Sequence, residues 1–185
     1  MAQEDAHTVL FFGRMLEYKG LKYLIEAEPL ISKIIPDFKI IIAGSGEYLT
    51  CHKPLLEKNS HYEIHDRFIP NNEVAPFFAR ASLIVLPYIE ASQSGVVAIA
   101  FAFGKPVVIT DVGSLSEMVE DGKVGIVVPA RNSERLAYAI IDLLKGKDKR
   151  IKMGRAALKL AHTDLNWENI ANITQDVYRK TLQTN

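Results

Sequence analysis

Cysteine is almost absent from this chain. Cys51 is the only one, so no intrachain disulfide and no cysteine metal cluster can form. No apolar run reaches the ~18 residues of a spanning helix, so none is expected. Neither sign of charge is in excess, because Lys plus Arg and Asp plus Glu both number 22. A zero net charge argues against a broad basic footprint, so no nucleic-acid partner is expected, although a local cationic pocket is compatible with it. The five histidines lack metal-ligand spacing and no Asp-x-Asp occurs, so neither a metal nor a cofactor is expected. A Walker loop and a Ser/His/Asp grouping are also missing. The opening Met1-Ala2-Gln3-Glu4-Asp5 is polar and acidic, unlike a signal peptide. The expectation is a protein of the cytoplasm or the cytoplasmic face of the membrane.

What is present is a chain of 185 residues, 48% hydrophobic and 24% charged, the composition of a globular domain. Short apolar runs alternate with amphipathic ones. Val9–Phe12, Phe38–Ala43, Leu83–Pro87, Pro106–Thr110 and Gly125–Val128 read as strands, several of them continuous enough to be buried on both faces. Tyr62–Phe68 alternates and is a further strand. Between them lie helical patterns. Leu21, Leu24, Ile25 and Ile31 mark one, and Tyr48–Asn59 a second, interrupted by Pro54. Asn71–Arg80 is capped by Asn71 or Asn72, and Gly95–Phe103 is stopped by Gly104. A capping box, Ser114-Leu115-Ser116-Glu117, precedes Met118, and Asn132 or Ser133 caps a helix that ends at Gly146. Six strands alternating with helices imply an α/β Rossmann-like, doubly wound, mostly parallel sheet. The expected division is an extension over 1–7, the sheet domain over 8–146 and a helical tail over 147–185. The tail carries Trp167.

In such a sheet, ligands collect outside the carboxyl ends of the strands. The first exit offers Gly13-Arg14 with Lys19, two cations suited to a phosphorylated ligand. The second is Gly44-Ser45-Gly46, which permits close backbone approach. The third, Glu90 to Val96, combines a carboxylate with the start of a small-residue helix, whose free N–H groups favour an anion. Phosphate plus sugar hydroxyls would suit that pairing. The fourth is Asp111-Val112-Gly113-Ser114.

Taken in order, Gly13-Arg14…Lys19-Gly20, Ala43-Gly44-Ser45-Gly46, Ala81–Pro87, Ala102-Phe103-Gly104-Lys105-Pro106, Asp111-Val112-Gly113 and Glu120-Asp121-Gly122 form a set. That set resembles the C-terminal, donor-binding domain of retaining GT-B glycosyltransferases of the group 1 (family 4) type, over about residues 8–182. The resemblance implies a single GT-B half-domain that binds a nucleotide-diphosphate sugar. Arg14 and Lys19 would hold the diphosphate and steady the leaving group. Gly13, Gly44 and Gly46 would let backbone approach the donor, Phe68 and Ile69 would border the base, and Ser94, Gly95 and Val96 would offer helix-start amides. The family commonly has two glutamates separated by seven residues. Counted back from Gly104-Lys105-Pro106, those places fall at Ala91 and Ile99. Glu90, one residue from the first place, either takes the donor-sugar role, as a catalytic group with Arg14 and Lys19, or is loop. The implied partners are the donor and a missing N-terminal acceptor-binding domain, through which peripheral membrane contact would be made. Two alternatives stay open: a non-catalytic nucleotide-binding or regulatory module, and a GT-B sugar epimerase.

Overall fold

The computed structural model describes residues 4–183. Six strands form one sheet in the order β3-β2-β1-β4-β5-β6, and every pair is parallel. They are β1 Thr8–Phe12, β2 Lys39–Ala43, β3 Tyr62–His65, β4 Leu83–Leu86, β5 Val107–Thr110 and β6 Gly125–Val128. The order reverses between β1 and β4, where Val9 lies beside Leu83 and Leu10 beside Ile84. That reversal opens a crevice at the carboxyl ends.

Alternate residues of one strand feed two cores, which is why the strands read as continuous apolar runs. Val9, Phe11, Ile40, Ile42, Leu83 and Val85 join one core, packed under α1 (Leu21–Ile34), α2 (Glu47–Leu56) and α5 (Ser133–Lys145). Leu10, Ile41, Ile84 and Leu86 join the other, under α3 (Asn71–Arg80), α4 (Gly95–Ala102) and α6 (Lys147–Thr163). The helix α4 is apolar all round because the sheet core covers one side and α6 packs on another. The described part of the expected extension, residues 4–7, is tied to the body. Glu4 pairs with Lys105 and Arg150, and Asp5 with Arg80. The last helix, α7 (Trp167–Gln183), differs from the rest. Trp167, Ile173, Val177, Tyr178 and Leu182 are all exposed on it.

Four local expectations need correction. The strand from Tyr62 ends at His65, not Phe68, because the chain turns at once and the Arg67 N–H donates to the His65 carbonyl at 2.9 Å. The Ser114 capping box does not form. Only a 3-10 turn, Ser116–Met118, follows, and the Ser114 hydroxyl donates instead to the Ser92 carbonyl. Pro70, not an asparagine, occupies the cap position of α3, with no side-chain cap bond. Pro54 sits inside α2 and does not interrupt it, since the helix closes only two residues later. The Asn132 cap is present, its side-chain oxygen accepting from the Arg135 N–H at 2.9 Å.

Candidate functional site

The carboxyl ends of β1 and β2 are drawn together by their exit loops. The Gly13 N–H donates to the Ala43 carbonyl at 3.0 Å and the Met15 N–H to the Ser45 carbonyl at 2.9 Å. A Cβ on Gly44, whose φ is +141°, would lie 1.9 Å from the Gly13 carbonyl oxygen. No side chain fits there, so Gly44 is required by packing of backbone on backbone. Gly46 faces the Met15 carbonyl in the same way, at 2.3 Å from a built Cβ. On the other flank, the Ile89 N–H donates to the Tyr18 carbonyl at 2.7 Å, which holds the β4 exit against the β1 exit.

Gly13, at φ +110°, opens onto the centre of the site. The Cβ it lacks would stand 3.1 Å from Lys19 Nζ and 3.9 Å from Val96 Cγ2. Lys19 and the first turn of α4 therefore border one space over Gly13. The Lys19 ammonium also lies 5.2 Å from the Tyr88 ring centroid, an attraction worth about 0.5–1 kcal/mol at an exposed site. Burial, and then repulsion from Arg14, hold its pKa below the usual lysine range. A charge kept in such a place lowers its free energy by gaining an anion. The hydroxyl of Ser94 is buried, 3.4 Å from the Tyr88 hydroxyl, so it does not cap α4. The N–H groups of Gly95 and Val96 make no backbone hydrogen bond among the described residues, and the space beside Gly95 is open.

Three expected residues stand apart from this cluster. Ile69 is buried, and its side chain packs in the second core. Phe68 beside it is 77% exposed. Glu90 is exposed and lines a neighbouring cleft together with Tyr18 and Arg131. No hydrogen bond or ion pair joins it to Arg14 or Lys19 among the described residues. Ile99 packs against the second core and offers no acceptor.

Tyr88 escaped sequence reasoning, although it links Lys19, Ser94 and, edge to face at 6.3 Å, Tyr18. Its signal was an aromatic placed at the exit of a buried strand. Thr110, at the end of β5, was missed too, and its buried hydroxyl donates to the Tyr88 carbonyl at 2.5 Å.

Comparison with known proteins bears on what this crevice serves. An uncharacterized glycosyltransferase of Methanocaldococcus jannaschii, MJ1607, is 30% identical over 184 residues, which is 98% of this chain and 47% of that protein. The chain thus spans about half the length of the curated relatives it matches. Among solved structures, sucrose-phosphate synthase of Thermosynechococcus elongatus superposes with a TM-score of 0.85 at 24% identity, covering 98% of this chain and 47% of that one. The C-terminal domain of a glycosyl transferase group 1 family protein (LpcC) of Francisella tularensis gives 0.78 at 21% identity, with 89% of each chain covered. Anabaena Alr3699/HepE in complex with UDP gives 0.80 at 20% identity, covering 98% of this chain and 50% of that one. These structural likenesses establish a shared fold, the sheet half seen in GT-B glycosyltransferases. The family model "Glycosyl transferases group 1" matches residues 6–146, and the chain belongs to that family.

Proposed function

We propose that this chain is the donor-binding half of a transferase that moves a sugar from a nucleotide-diphosphate sugar to an acceptor hydroxyl with retention of configuration. One observation carries the reading: Lys19 and the free first turn of α4 border a single space over Gly13, at the point where strand order reverses. Two cations without a carboxylate between them, together with unbonded helix-start N–H groups, suit a diphosphate. In the reaction, the bond from the anomeric carbon to the diphosphate oxygen breaks and its electron pair stays on the diphosphate. Arg14 and Lys19 stabilise that charge as it develops, in positions set before substrate arrives. The acceptor oxygen bonds the anomeric carbon on the face the diphosphate leaves, and its proton passes to the departing diphosphate oxygen.

The UDP held by the HepE structure is consistent with a nucleotide donor. The acceptor would be placed by the other half of a longer protein, and the unpartnered face of α7 is the natural place for that half to pack. Alone, the chain should bind donor weakly and turn over poorly, because acceptor positioning is lost. Calorimetry with UDP, GDP and their sugars tests the reading. Arg14→Ala is expected to weaken whichever nucleotide binds by roughly tenfold or more, the loss of one charge-assisted contact. Absence of binding by every nucleotide at millimolar concentration overturns it. Packing of Ile99 in the core favours a second reading, a nucleotide-binding module without catalysis. It predicts nucleotide binding but no sugar transfer when the whole protein is assayed.

A further inference from the structure

A second cleft adjoins the anion pocket. Its volume is about 740 Å³, within the ~300–1,000 Å³ range of small-molecule sites. Tyr18, Tyr23 and Tyr48 line it, and four charged side chains, Glu17, Lys22, Glu90 and Arg131, stand among them. The two clefts share a wall. Tyr18 packs edge to face on Tyr88, and Lys19 lies over that same Tyr88 ring.

The chemistry of the second cleft differs from that of the first. The anion pocket holds cations without a carboxylate partner. Here two carboxylates face two cations, so the local charge balances and a polyanion gains nothing. Among the described residues, the side chains of Glu17, Glu90 and Arg131 make no hydrogen bond or ion pair with the protein. Lys22 makes only a long, exposed one, 3.8 Å to Glu26. Acceptors and donors are thus both available, as an uncharged polyhydroxyl ligand requires. Tyrosine rings add rigid apolar faces with a polar tip, suited to the C–H faces of a sugar ring. Arg131 has a left-handed backbone, φ +59°, which only glycine adopts without cost. Strain of that kind gathers at ligand sites, where it fixes the direction of a side chain.

The geometry points to a saccharide-binding cleft here: a neutral sugar, held by the three tyrosines and oriented by Glu17, Glu90 and Arg131. Its place beside the leaving-group pocket lets it hold an outer sugar of the acceptor, whose reacting hydroxyl the other half of the protein positions. That last step rests on the transferase reading, whereas the cleft as a sugar site does not. Glu90 then serves the second sugar and not the donor, which fits the absence of a hydrogen bond or ion pair between it and Arg14 or Lys19 among the described residues.

Saturation-transfer difference NMR with methyl α-glucoside, methyl α-mannoside, maltotriose and mannotriose, each at about 10 mM, tests the assignment. At least one sugar should give signal, and saturating UDP should leave that signal in place. Arg131→Gly accepts the left-handed backbone, so the fold and its Tm are kept, yet sugar affinity should fall about fivefold or more. Tyr18→Ala should do the same, and if that variant loses its fold, Arg131→Gly decides alone. The proposal is overturned if no sugar gives signal, if UDP displaces the sugar, or if Arg131→Gly binds sugar as the wild type does. Nucleotide calorimetry on the same sample reports the donor pocket separately, so the two readings fail independently.

Discussion

Replacing Lys19 with methionine separates what the fold needs from what the site needs. In the folded chain the ammonium is held below its ordinary range, by burial first and then by Arg14. A lysine with a depressed folded pKa destabilises the fold wherever it is charged in both states, which means below the folded value. The cost is recovered as pH rises through that value toward 10.5, the ordinary lysine pKa. Methionine keeps the apolar stem and removes the cost. Against the gain stands the lost contact with Tyr88, about 0.5–1 kcal/mol. Relief of a strained functional position commonly yields about 0.5–2 kcal/mol. The net is about 0.5 kcal/mol in favour of the variant, a rise of about 1–2 °C in Tm for a domain of this size. Nucleotide binding moves the other way. Loss of a charged hydrogen bond costs about 1.5–3 kcal/mol, so affinity should drop roughly 10- to 150-fold. Thermal scans at neutral pH and at about pH 10, with calorimetry against UDP and GDP, make the comparison. The Tm advantage should narrow as pH rises toward 10.5, because the lowered pKa lets wild-type Lys19 discharge in the fold before it does in the unfolded chain. A variant that melts several degrees lower and binds nucleotide unchanged would refute the reasoning.

Gly44→Ala should be among the most damaging single changes, since its Cβ would fall 1.9 Å from the Gly13 carbonyl oxygen. A loss of about 3 kcal/mol or more, seen as a Tm drop of about 6–12 °C or as insoluble protein, is expected, and a wild-type Tm would show that the two loops are not in contact. The Glu63 carboxyl is held at about 2 by its hydrogen bonds from Arg80, with His65 adding to the effect. Its stabilisation is present above 4.5, the ordinary glutamate value, and is lost as pH falls from there toward 2. Because more than a third of the side chain meets solvent, Glu63→Gln should cost only about 1 kcal/mol and flatten the acid limb of Tm against pH. Trp167 is 82% exposed, so its fluorescence should be red-shifted and readily quenched by iodide. Trp167→Ser should leave the Tm of this chain within about 1 °C, in line with a small surface effect. A blue-shifted, protected tryptophan would mean that α7 packs on the body.

Strand identity was legible because burial on both faces leaves an unbroken apolar run, as in Ile40-Ile41-Ile42, where alternate residues enter opposite cores. The cap at Asn132 was legible because it needs only a side chain and an N–H three residues on. The capping box at Ser114 misled for the converse reason. Ser92, from the loop after β4, offers a carbonyl that no local pattern announces, and the hydroxyl goes there. The surroundings of Glu90 and Ile69 were illegible in the same manner. Both are polar or apolar residues at plausible places along the chain, and only packing against distant segments set one in a second cleft and the other in the core.

By itself the sequence determined the alternation of strands and helices and the parallel sheet, and it offered candidates for holding an anion, because these follow from periodicity and side-chain chemistry within short windows. Tertiary structure decided that Lys19 and Val96 both stand over Gly13. That arrangement depends on β4 lying beside β1, so that a loop near residue 13 and a helix beginning at Gly95 share one crevice. Strand order is a property of the whole sheet, and no local spacing encodes it.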